Sequence, residues 1–211
     1  MGKLVCDFKV VGAVQTNCYF VMDDETKECV IVDPGDEAKK LLQYLQDKNL
    51  TLKAILLTHG HFDHIMAVDS IREVYPVPVY AAKAEKEVLS DVMTNLSVQM
   101  GSSVTVEADH WLLDGDTIEL LGREVRCILT PGHTCGGMCY YFPKDGILFS
   151  GDTLFQESVG RTDFPTGSMS TLIHSVREKL FVLPKAVRVY PGHGMMTSIE
   201  NEAMYNPYAA Q

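Results

Sequence analysis

The sequence predicts an α/β layered sandwich, and two features carry that prediction. Short β-like apolar runs recur along the chain, each ending abruptly in a polar or glycine-rich turn. Between them lie segments whose apolar residues fall at helical spacing. In chain order, Val30, Ile31 and Val32 precede Asp33, and Ile55, Leu56 and Leu57 precede "THGHFDH". "EVRCILTPGHT" then delivers His133, "GILFSGDT" delivers Asp152 and "VRVYPGHG" delivers His193. Helices are expected over 36–48 with Asp36 as N-cap, and over 62–75, 83–92 and 168–181. "LLDGDTIEL" around Gly115 reads as a hairpin turn. "TPGH" and "YPGH" echo each other and hint at two similar halves.

A length of 211 residues suits one domain spanning 1–211. Apolar residues at 46% and charged residues at 22% are ordinary for a globular chain. No apolar stretch reaches the roughly 18 residues of a membrane span, and "MGKLVCDFKVVGAV" alternates like a strand rather than a signal peptide. A cytoplasmic location is therefore expected. The net charge of −10 repels nucleic acid and anionic membranes, so a small molecule is the expected partner. Six cysteines without a CxxC read as reduced, buried small hydrophobes rather than a disulfide framework.

Histidine placement is the informative feature. Five of seven histidines fall at the ends of predicted strands, where sites form in open α/β architectures. Neutral imidazoles with Asp63 and Asp152 suit zinc, iron or manganese without thiolates. His59 and His61 can bind one ion from an extended turn. Asp63 and His64 could face a second, as in two-metal hydrolytic sites. His110 and His174 stand outside this pattern.

His59-Gly60-His61-Phe62-Asp63-His64, followed in order by "PGHT", "SGDT" and "PGHG", resembles the metallo-β-lactamase-fold superfamily over nearly all 211 residues. The resemblance implies a four-layer αββα sandwich, two mixed β-sheets flanked by helices, with a binuclear site at one edge. It implies that His59, His61 and His133 hold one divalent ion and that Asp63, His64 and His193 hold the second. Asp152 would bridge the two. Zinc is the first expectation for both, with iron or manganese as alternatives. Asp33 either caps the following helix or, as the resemblance suggests, orients a metal-bound imidazole. Thr58 and Thr134 flank ligands and could do the same.

Such ions supply a nucleophile near neutral pH and polarise a carbonyl, so hydrolysis is the expected chemistry, with Asp63 and Asp152 as its catalytic carboxylates. "LFQESVGRTDFP", "VYPGHGMMTSIENE" and "NPY" are similar to glyoxalase II-related proteins, in the compact single-domain bacterial branch of hydroxyacylglutathione hydrolases. The implied reaction is thioester hydrolysis, S-D-lactoylglutathione giving D-lactate and a free thiol. Arg161 would then be a substrate cation or, alternatively, the ion-pair partner of Asp163. Larger members carry a C-terminal helical domain for glutathione, which is not expected here, so another thioester or thiol carrier is open. "PGHTCGGMC" also departs from the family form in lacking proline after the threonine. Cys135 is thus either near the site or core packing. Rival readings are a persulfide dioxygenase with one iron on His59, His133 and Asp152, another ester or lactone hydrolase, and a non-catalytic metal-binding protein. A β-lactamase is disfavoured by the acid at 152, and a nuclease by the charge.

Overall fold

The computed structural model describes residues 2–210, and among these the strands form two six-stranded sheets and a two-stranded ribbon. The first sheet runs in sequence order: β1 Leu4–Val11, β2 Thr16–Asp23, β3 Glu28–Val32, β4 Thr51–Leu56, β5 Val79–Ala82 and β6 His110–Leu112. Its first three strands pair antiparallel and the rest parallel. Parallel pairs need crossovers. These are α1 Ala38–Asp47, then α2 Phe62–Ile65 with α3 Val68–Val74, then α4 Lys86–Ser90. The second half of the chain gives β7 Thr117–Leu120, β8 Arg123–Leu129, β9 Met138–Phe142, β10 Ile147–Gly151, the ribbon β11 Leu154–Phe155 and β12 Ser158–Val159, then β13 Arg188–Pro191 and β14 Thr197–Ser198. The helix α5 Met169–Ser175 lies in the β10–β13 crossover, and α6 Ile199–Tyr205 follows β14.

Burial explains why the strands read as unbroken apolar runs: both faces of each sheet are covered. Phe20, Ile31 and Ile55 pack with Leu41, Leu45 and Ile71 of the helices on one side. Their strand neighbours Tyr19, Val32 and Leu56 point the other way, onto Val125, Tyr140 and Phe149 of the second sheet. The outer face of that sheet buries Leu148 and Val189 against Leu172 and Val176. The result is helix, sheet, sheet, helix, the αββα architecture expected, and each sheet comes from one contiguous half of the chain.

Local expectations need correction in five places. Asp36 does not cap α1: the cap position is Glu37, left-handed at φ 52, and Asp36 accepts the N–H of Glu37 instead. The helix expected over 62–75 is broken, because the N–H of Ala67 donates to Pro34 O at 3.0 Å. The helices expected over 83–92 and 168–181 shorten to α4 after a 3₁₀ turn and to α5 before a π turn. Gly115 turns the chain from one sheet to the other. The hairpin lies instead at Leu121–Gly122, both left-handed (φ 55 and 67), joining β7 to β8 as in a type I′ turn. All six cysteines are free, four of them buried. No helix among the described residues is long and apolar enough to cross a membrane.

Candidate metal centre

Loops after β3, β4, β8, β10 and β13 converge, and each carries one or more of the residues singled out above. Two groups of donors result. In the first, His59 Nε2 lies 3.1 Å from His61 Nδ1, and His61 Nδ1 lies 2.9 Å from His133 Nε2. In the second, Asp63 Oδ2 lies 3.4 Å from His64 Nε2 and 3.2 Å from His193 Nε2. Asp152 faces both groups: its Oδ2 is 3.5 Å from His133 Nε2 and from His193 Nε2, and its Oδ1 is 3.4 Å from His64 Nε2. The sequence-predicted seven thus form one constellation.

Partners on the far side of three of the rings set their tautomers. His133 Nδ1 is 2.7 Å from the backbone oxygen of Arg161, which can only accept, so Nδ1 carries the hydrogen and Nε2 presents a lone pair. His64 Nδ1 donates to Asp33 Oδ2 at 2.9 Å, with the same consequence. Thr58 Oγ1 gives its hydrogen to Asp33 Oδ2 at 2.6 Å and so accepts from His59 Nδ1 at 3.2 Å. Asp33 also takes the Thr58 N–H at 2.8 Å. It orients imidazoles rather than capping a helix, the arrangement usual behind metal-bound histidines.

Inward-facing lone pairs so close together need a cation. His64 Nε2 and Asp152 Oδ1 are buried and find no hydrogen-bond partner, an expensive condition unless an ion completes the site. Burial, reinforced by neighbouring imidazoles, holds His59 well below its usual pKa and His61 at about 3, so both are neutral, the ligating form. Burial opposes protonation of His64 too, but Asp63, Asp33 and Asp152 outweigh it and raise its pKa. His193 is raised despite burial, chiefly by its bond to Asp63. Asp63 is lowered although burial opposes ionisation, because His64 and His193 face it. The donor set therefore fits divalent ions, with three positions in each group and a carboxylate between them.

Close approach is permitted by missing side chains. A Cβ on Gly192 would fall 2.2 Å from Asp152 Oδ1, and one on Gly35 would fall 1.6 Å from Asp63 O.

Sequence reasoning missed three supports. Thr16 Oγ1 donates to Asp63 Oδ2 at 2.7 Å. The Asn17 N–H donates to Gly192 O at 2.7 Å, anchoring the His193 loop. Glu85, buried, accepts from Gly60 N–H and Thr134 Oγ1, both at 2.9 Å, and its desolvation lifts its pKa to about 7. Thr134 thus serves Glu85, not an imidazole. Nothing in "QTNCY" or "KAEKE" distinguishes these residues from surface polar ones; the signal is long-range contact. Arg161 forms a bidentate ion pair with Asp163, both contacts at 2.7 Å, and stacks on Phe164 at 3.9 Å. Cys135 Sγ lies 3.2 Å from Ala84 O and belongs to none of the donor groups. His110 stacks on Tyr80, and neither it nor His174 joins the constellation.

An αββα sandwich with His/Asp donors at one sheet edge defines a class of metal-dependent proteins. The chain belongs to the metallo-beta-lactamase superfamily, whose family model matches residues 11–193. It is 43% identical to the probable metallo-hydrolase YqgX of Bacillus subtilis over 94% of both chains. It is 36% identical to the hydroxyacylglutathione hydrolase GloC of Haemophilus influenzae, again over 94% of each. Among solved structures, the BLEG-1 B3 metallo-beta-lactamase superposes with a TM-score of 0.93 at 40% identity, covering 98% of this chain and all of that one. TTHA1623 in a di-iron-bound form superposes at 0.85 with 35% identity, covering 96% and 99%. The protein is a metallo-hydrolase of this superfamily.

Proposed function

We propose that the protein is a thioesterase of the glyoxalase II type, acting on S-D-lactoylglutathione or a related hydroxyacyl thioester. The observation that carries this reading is Asp152, whose Oδ2 lies 3.5 Å both from His133 of one donor group and from His193 of the other, a shared carboxylate that suits a binuclear hydrolytic centre. Similarity to GloC supports the substrate class. His59, His61 and His133 would hold one ion, with Asp63, His64 and His193 around the other and zinc as the first candidate. Bound there, the ions would supply a nucleophile near neutral pH and polarise the thioester carbonyl. Water oxygen bonds to the carbonyl carbon, the carbon–sulfur bond breaks, and its electron pair leaves on sulfur. Asp152 carries the proton released by water toward the departing thiolate. Asp33 and Thr58 fix the imidazoles, and Thr16 fixes Asp63.

BLEG-1 favours a second reading, opening of a β-lactam ring by the same donors. The test is a turnover panel on metal-quantified protein: S-D-lactoylglutathione, simpler thioesters, a lactone, nitrocefin and glutathione persulfide. Thiol release is expected, with two metal equivalents per chain. Iron-dependent oxygen uptake on the persulfide without thiol release sinks the proposal, as does cleavage of nitrocefin alone.

A further inference from the structure

A cavity of about 510 Å³ opens onto the metal centre, a size suited to a small-molecule ligand. Its walls are Val14, Phe62, Leu96, Met100, Phe155 and Phe164. Among the described residues lining it, Arg161 is the one lysine or arginine, and Asp163 already engages that guanidinium through both oxygens. Stacking on Phe164 holds it there. Gln99 and Ser158 are the neutral polar side chains. An anionic substrate group would meet an occupied cation, with Asp63 and Asp152 nearby.

One wall is held in an unusual conformation. Leu96, buried and lining the cavity, is left-handed at φ 68, a region costly for a bulky side chain. Asn95 fixes it. The backbone oxygen of Asn95 accepts from Phe62 N–H at 2.8 Å, its Oδ1 from Ser97 N–H at 2.9 Å, and its Nδ2 donates to Val104 O at 2.7 Å. Strain of this kind persists where the surroundings over-determine it, and it concentrates at ligand sites. Here it maintains part of the apolar wall of the cavity that the donor residues also line.

We propose, resting on the thioesterase reading, that the preferred substrates carry an uncharged, apolar thiol part, which Leu96, Met100 and Phe155 recognise. Glutathione brings two carboxylates and an ammonium, and for those carboxylates the cavity's one guanidinium is already paired with Asp163, leaving only the neutral Gln99 and Ser158 among the lining side chains. Leaving polar groups unpaired is the strong form of discrimination, whereas apolar contact is gained by any carrier that fits. The acyl part and the reaction stay the same; water adds to the carbonyl and the thiolate leaves, whichever carrier it belongs to.

The test keeps the acyl group constant. D-lactoyl thioesters of glutathione and of benzyl mercaptan are compared on the zinc-loaded protein. The benzyl ester is expected to have a kcat/KM at least about tenfold higher. Equal or better turnover of the glutathione ester overturns the inference while leaving the thioesterase reading intact. Turnover of neither ester removes the thioesterase reading, and carrier preference is then read from binding of the two free thiols. Benzyl mercaptan binding no tighter than glutathione overturns it. A second variant guards against coincidence. Met100 is 48% exposed, so Met100→Lys adds a free cation without disturbing the core. It should shift the benzyl-to-glutathione ratio several-fold toward glutathione; an unchanged ratio counts against the assignment.

Discussion

The two donor groups sit side by side on one sheet edge yet differ in electrostatic character. His59, His61 and His133 are all imidazole and almost wholly buried, at 2%, 3% and 4% exposure. The other group mixes a carboxylate with two imidazoles whose basicity is raised, and its His193 side chain is 27% exposed. In the first group, burial keeps His59 and His61 in the neutral, ligating form. The other sets Asp63 against two imidazoles of raised basicity, so a cation entering it must displace protons, even though His64 Nε2 has no hydrogen-bond partner there. Their supports differ as well. Glu85 ties Gly60 to Thr134, on the loops of the all-imidazole group, while Thr16 contacts Asp63, and Asp33 contacts His64 directly and His59 only through Thr58. One fold edge thus holds a buried donor group and a more exposed, charged one, with Asp152 facing both.

The strongest way to break this comparison is to remove the junction. Asp152→Ala should lower kcat/KM by roughly three orders of magnitude, well beyond the 10–100-fold usual for outer partners of a metal site. Retention of full activity in steady-state assays would remove the metal mechanism. A second test uses pH. Raised pKa values mean that His64 and His193 still hold protons at pH values where free histidine has lost them. Metal affinity there must fall as pH drops through that raised range, by about tenfold per pH unit for each proton displaced. His59 is held well below the usual range and His61 at about 3, so their protons compete only in strong acid. Dialysis over a pH series should therefore release one equivalent before the other. Simultaneous loss would erase the distinction.

Supports can be separated in the same way. Asp33→Asn keeps the size but weakens the acceptor for His64 Nδ1 and for Thr58, and should cost 10–100-fold in affinity, more at the charged group, where its contact is direct, than at His59, which it reaches through Thr58. Glu85→Ala leaves the Gly60 N–H and Thr134 Oγ1 without acceptors and should cost about 1–3 kcal/mol of stability, with looser binding at the all-imidazole group. Competition against a chromophoric chelator resolves the two equivalents. A reversed pattern would mean that direct contact does not decide which group each support serves.

Much of this was legible in the sequence because ligands sit where apolar runs stop: Asp33, His59, Asp152 and His193 each lie within a few residues of a strand end. The run Val30–Ile31–Val32 gave strand and layer together, since residues buried on both faces cannot alternate. Gly115 misled because a turn signal states that the chain reverses, not whether the next strand joins the same sheet. The break between α2 and α3 was invisible because Ala67 bonds to Pro34, far away in sequence. Thr16 and Glu85 were missed for the same reason, their partners being 47 and 25 positions away. Periodicity and strand-end chemistry are local, while supports across a site are not.

The smallest expected effect concerns Cys135, which follows His133 by two positions and would alter the all-imidazole character of its group if it ligated. Its Sγ lies 3.2 Å from Ala84 O, and burial raises its pKa, with Glu85 adding to the rise, so the thiol form is favoured over the thiolate a metal requires. The backbone of Cys135 is held separately, its N–H donating to Thr166 Oγ1 at 3.1 Å, so the loop keeps its shape without the sulfur. Cys135→Ala should therefore leave metal stoichiometry unchanged and activity within about twofold, because a thiol acting as a weak donor contributes little. Elemental analysis decides it. Loss of one metal equivalent would make the sulfur a ligand, and the contrast between an all-imidazole site and a mixed one would have to be redrawn.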